Sequence, residues 1–80
     1  MNGRRNFKAV LHDAPDVQPP KQLLYVGLEE AELWAKQVID GLTVKQKEKA
    51  FVVVSEMREV PVLEVHAAKI PGEYAVARIG

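Results

Sequence analysis

The clearest pattern of apolar and polar positions runs through Gly27–Leu42. Leu28, Ala31, Ala35, Val38, Ile39 and Leu42 recur at helical spacing and share one face, while Glu29, Glu30, Lys36, Gln37 and Asp40 fall elsewhere on the cylinder. The pattern predicts an amphipathic helix with its stripe on a core. Glu29, Glu30 and Glu32 sit in or near the first turn, where carboxylates favour the free N–H groups. Glu30 is placed to reach back to the Gly27 backbone. Glu32 and Lys36 are four apart in the favourable order. Gly41 is expected to stop the helix in a left-handed conformation, with Leu42 folding back. Asp40 opposes the helix dipole. Trp34 falls at the edge of the stripe and Leu33 roughly opposite it.

Elsewhere the period is two. Phe7–His12 sets Phe7, Ala9 and Leu11 against Lys8, Val10 and His12, which predicts a short strand. Asp13–Lys21 holds three prolines and two aspartates and reads as a loop of fixed shape, with a type I turn at Pro15-Asp16. Gln22–Val26 reads either as a second strand or as an extended lead-in to the helix. Thr43 can cap a helical turn over the lysines that follow. Phe51–Met57 carries three consecutive valines, and strand is favoured there over helix. Val60–Lys69 alternates Leu63, Val65 and Ala67 with Val62, Glu64 and His66, and Pro61 suits a strand start or sheet edge. Ile70-Pro71-Gly72-Glu73 has the form of a type II turn, closing a hairpin onto Tyr74–Ile79.

The assembled order is β(β)αβββ. It predicts an α+β fold, one amphipathic helix on a largely antiparallel sheet of four or five strands. Residues 1–6 are expected to form a disordered arm and residues 7–80 a single α+β domain. A hairpin, a helix and then further strands resembles a β-grasp arrangement in element order. Gly80 stands alone, without the paired glycines of a ubiquitin-type tail.

Composition narrows the classes. Eighty residues make one domain with a small core. Eleven basic residues balance eleven acidic ones, so no overall field draws the chain to nucleic acid or an acidic membrane. With no cysteine, this chain has no disulfide, thiolate nucleophile or Cys-based zinc site. No apolar run reaches the length of a membrane span. Arg4-Arg5-Asn6-Phe7-Lys8 resembles a twin-arginine signal, but only Ala9-Val10-Leu11 follows before His12 and Asp13. A cytoplasmic protein is expected.

Candidate chemistry is thin. His12 and His66 are the only histidines. Glu64 and His66 lie side by side on one strand face, and with Asp13 or Glu56 they would suggest a metal site or an acid–base pair. Ser55 or Thr43 against a histidine is a background combination. No phosphate loop and no cofactor motif is present, and no small-molecule substrate is evident. Lys45, Lys47 and Lys49, with Arg4, Arg5 and Lys8, form the one candidate anion-binding set. Val52, Val54 and Val62 are candidates for an apolar face away from the helix, which a second copy would cover. Leu33 and Trp34 are candidates for a partner-contact surface on the helix. The expectation is a small non-enzymatic module that binds another protein or itself as a homo-oligomer. The alternative is a nucleic-acid-binding or regulatory protein using the 45–49 segment and the N-terminal arm.

Overall fold

Alternation along the strands is turned into a fold by a helix laid on one side of them. A computed structural model describes residues 6–17, 21–58, 60–70 and 72–79. The elements follow as β1 (Phe7–His12), β2 (Gln22–Val26), α1 (Leu28–Asp40), α2 (Val44–Lys49), β3 (Phe51–Glu56), β4 (Val60–Ala67) and β5 (Tyr74–Arg78). The strands form one sheet in the order β2-β1-β3-β4-β5, with every neighbouring pair antiparallel. This is the α+β architecture expected from the periodicities. Gln22–Val26 is a strand and Phe51–Glu56 is a strand, which resolves both open segments. The likeness to a β-grasp arrangement is one of element order. In this sheet β1 lies between β2 and β3, and the last strand lies at an edge.

The core forms where α1 lies across the middle strands. Ala31, Ala35 and Ile39 of α1 meet Ala9 of β1, Val52 and Val54 of β3, and Leu63 and Val65 of β4. All eight residues are essentially inaccessible. Val52 and Val54 therefore face the helix, contrary to the expectation that they form an open apolar face. The register decides this, because Val52 stands opposite Leu11 and Val65, and Val54 opposite Ala9 and Leu63. Those partners are the inward residues of β1 and β4. Val62 is the extra residue of a bulge between Val54 and Ser55, and it packs against the same core.

The helix ends also depart in one respect from the expectation. Glu30 accepts the Gly27 N–H at 3.3 Å, and Glu32 pairs with Lys36 at 3.4 Å, as anticipated. Gly41, however, stays right-handed at φ −81° and ψ −5°. Its N–H donates to the Gln37 and Val38 carbonyls, and Leu42 N–H donates to Ile39. The last turn tightens to satisfy its carbonyls, so a left-handed residue is not needed. Buried Leu42 then carries the chain directly into α2. Thr43 caps α2 reciprocally: its hydroxyl accepts the Gln46 N–H at 3.2 Å, and Gln46 accepts the Thr43 N–H at 2.8 Å.

The turns close as their residues require. Val17 N–H bonds to the Ala14 carbonyl, and Glu73 N–H to Ile70 across Gly72 at φ 86°. Among the described residues no helix is long and apolar enough to cross a membrane.

Ile39→Ala is expected to destabilise the domain by about 2–5 kcal/mol, a large share of what so small a fold holds. Thr43→Ala should cost about 0.5–2 kcal/mol. Exposed Leu33→Ala should stay within about 0.5 kcal/mol. Urea unfolding of the three variants checks the ranking.

Candidate functional site

The sheet face away from the helix carries both histidines. His12, Phe51 and His66 occupy directly opposed positions on β1, β3 and β4. Their rings form a ladder, with the Phe51 centroid 5.5 Å from His12 and 4.9 Å from His66. His66 Nε2 lies 3.0 Å from Glu64 Oε1. A phenyl ring thus separates the two imidazoles, so they do not converge on one ion. Among the described residues no three metal-ligating side chains cluster. Glu56 sits at the far end of β3 and binds Arg58 at 2.9 Å. Ser55 is buried at that same end, and Thr43 is engaged as a cap, so neither meets a histidine.

The other candidates are dispersed. Leu33 is 58% exposed on the outer side of α1, while Trp34 is half-buried and closes the core rim near Val17 and Lys21. Lys45, Lys47 and Lys49 lie on α2, next to the start of β3. Lys8 stands opposite Ser55, four residues along β3 from Phe51, roughly 13 Å away. The sheet therefore places Lys8 and the α2 lysines near opposite ends of one strand. Arg4 and Arg5 lie outside the described residues.

What the pairing order creates instead is an open edge at β5. Its register with β4 runs from Leu63↔Arg78 to Ala67↔Tyr74 without a shift. Ile79 N–H donates to Val62, and Glu73 accepts from Ala68 N–H. Backbone groups alternate in direction along an antiparallel strand. Residues 75 and 77 therefore also point toward β4. Tyr74, Val76 and Arg78 point their N–H and C=O groups out of the sheet. The same three side chains lie on the helix face, since they oppose the inward residues Ala67, Val65 and Leu63. The helix covers them poorly: Val76 is 38% exposed and Arg78 is exposed.

The opposite edge is built differently. Tyr25 is an extra residue between the Phe7↔Val26 and Lys8↔Leu24 pairs. It has φ 58° and is 65% exposed. A bulge of this kind twists an edge away from regular pairing. Of the two edges, β5 is the one with an unshifted register.

One side-chain bond ties β5 to the helix layer. Tyr74 Oη donates to the Asp40 carboxylate, 2.6 Å from each oxygen. Lys36 Nζ lies 5.6 Å from the Tyr74 ring centroid and is itself paired with Glu32. Asp40, ill placed for its own helix dipole, thus has a partner that helical periodicity does not reveal. Among the described residues Arg78 has no ion-pair partner. Tyr74-Ala75-Val76-Ala77-Arg78 sets small residues on one side and large ones on the other, but only strand order makes it an edge.

Comparison with known proteins returns no match: no family model, no curated protein and no solved structure is similar to the chain.

The hydrogen bond to Asp40, then partial desolvation and the carboxylate charge, raise the Tyr74 phenol above its ordinary pKa. A raised acid pKa means that the contribution of this bond is complete below the unfolded value of about 10 and is lost as pH rises through the higher folded value. Absorbance titration of phenolate should place the Tyr74 midpoint above the ordinary tyrosine value. Asp40→Asn should lower that midpoint.

Proposed function

We propose that this chain is a non-enzymatic interaction module that takes up an extended strand at β5. The observation that carries the reading is the unshifted β5 register, which leaves Tyr74, Val76 and Arg78 with outward backbone groups beside an exposed apolar side chain. Strand addition draws its affinity from such main-chain groups and its selectivity from alternate side chains. Val76 would supply the apolar contact and Arg78 a charge that has no ion-pair partner among the described residues. The bulged β2 edge supports the assignment to one side of the sheet. The reading keeps the chain in the cytoplasm, as its sequence suggests.

Strand addition at an edge suits binding better than chemistry. The flanking groove is open and has a volume of about 380 Å³; Val44, Ile70 and Tyr74 are among the residues that line it. Val44 and Ile70 are both exposed there. They extend the apolar surface from the edge toward α2, so a bound segment would have contacts beyond the strand itself.

Amide hydrogen exchange tests the site. Tyr74, Val76 and Arg78 should exchange fast in dilute protein, and Ala77 and Ile79 slowly. The first three should slow as protein concentration rises, or, at the lowest concentration, when an acetylated and amidated peptide of alternating threonine and valine is added. Val76→Pro removes an outward N–H and should abolish the effect. Protection by neither addition, or protection on β2 instead, overturns the reading.

A further inference from the structure

We propose that the strand taken up is β5 of a second copy of this chain, paired antiparallel about a two-fold axis at Val76. The inference rests on the strand-docking reading above and identifies its partner. Three observations carry it.

The first is the internal symmetry of the strand. Tyr74-Ala75-Val76-Ala77-Arg78 reads large, small, large, small, large in either direction from Val76. Antiparallel pairing about Val76 sets Val76 against its own copy and Ala75 against the partner's Ala77. The methyl groups of that second pair meet on the face away from the helix, where directly opposed residues approach most closely.

The second is backbone fit. Tyr74, Val76 and Arg78 are the residues whose N–H and C=O groups point outward. The two-fold at Val76 pairs Tyr74 with the partner's Arg78, Val76 with Val76, and Arg78 with the partner's Tyr74. Each is then a hydrogen-bonded pair, so every outward group on the strand is used. A two-fold shifted to Ala75 or Ala77 uses only two of the three positions.

The third is charge. Residues opposite one another share a face, so Arg78 of one copy arrives beside Tyr74 of the other. Tyr74 already holds the Asp40 carboxylate at 2.6 Å. Arg78 has no ion-pair partner among the described residues of its own chain, and the carboxylate and ring supply one across the axis. Lys36 also lies near that ring, but its charge is met by Glu32 at 3.4 Å. Because the axis repeats the contact, the dimer holds two Asp40–Arg78 pairs.

Both helices then lie on the same side of a ten-stranded sheet, and the strip of helix-side sheet surface that neither covers is floored by the two Val76 side chains. The interface is small for a protein pair, and the dimer is expected to dissociate on dilution.

Charge exchange tests the register. Asp40→Lys alone sets lysine against the partner's Arg78, and Arg78→Asp alone sets aspartate against the partner's Asp40. Both positions are exposed, and matching amide spectra would establish that the variants fold. Light scattering across a dilution series should show wild type reaching a two-chain mass. Each single variant should dimerise about tenfold more weakly or worse. An equimolar mixture of the two should recover the two-chain mass, because each copy then meets an opposite charge. A wild type that stays monomeric at millimolar concentration overturns the proposal, and so does a mixture no better than its components. Strand docking is judged separately by the peptide-induced amide protection, so either failure leaves that result intact.

Discussion

One helix cannot cover five strands, and the rest of the structure follows from that mismatch. Adjacent strands are spaced about 4.8 Å apart, so five span roughly 19 Å, while a helix with its side chains is about 10–12 Å across. α1 lies mainly over β1, β3 and β4, and the largest fully buried side chains among the described residues belong to α1, β3 and β4. Chain order makes this the natural place. β2 is antiparallel to β1, and β1 to β3, so β2 and β3 run parallel and their connection must cross the sheet. The helical crossover passes over β1, the strand between them. The margins are reached only in part, β2 through Val26 and Leu23 and β5 through Tyr74, and each meets the problem of an unpaired edge separately.

Those separate solutions explain the residues that a uniform sheet would not contain. On β2 a tyrosine occupies left-handed backbone, a costly conformation for a bulky side chain, and in doing so spoils the edge. On β5 the register stays regular, the small residues lie on one face, and a phenol reaches the carboxylate at the end of α1. That carboxylate disfavours its own helix terminus by charge. Its position makes sense once β5 is placed beside α1, because it anchors an edge strand whose Val76 and Arg78 stay exposed.

How much of this was legible depends on the range of the interaction involved. Local periodicity was sufficient for β1, for α1, and for the hairpin closed at Gly72. The Thr43 capping box and the Glu30 and Lys36 contacts are also local, since their partners lie three or four residues apart. Val52 and Val54 were different, because alternation divides a strand into two faces without saying which one the helix covers. Only pairing with Ala9, Leu11, Leu63 and Val65 orients them. Gly41 shows the same limit at a helix end, where the following helix and buried Leu42 determine the exit conformation. Strand order is the most non-local property of all, and it alone makes Tyr74–Arg78 an edge. Leu33 and Trp34 break a local pattern. Tyr74, Val76 and Arg78 keep theirs, and so gave no local sign of being exposed.

The asymmetry between the two edges also bears on how such a sheet would assemble. Two regular edges would allow head-to-tail addition of copies, with a free edge left after each step and no reason to stop. With one edge bulged, the proposed pairing would use β5 alone, and two β5 strands would pair only with each other. A two-fold contact of that kind is closed, since it consumes both regular edges and leaves a bulged β2 at each end. Weak affinity is compatible with this design, because what the bulge supplies is termination rather than binding strength. In the proposed dimer the strain at Tyr25 and the symmetry about Val76 would be two parts of one arrangement: the first would limit assembly to a pair, and the second would specify which residues meet in it.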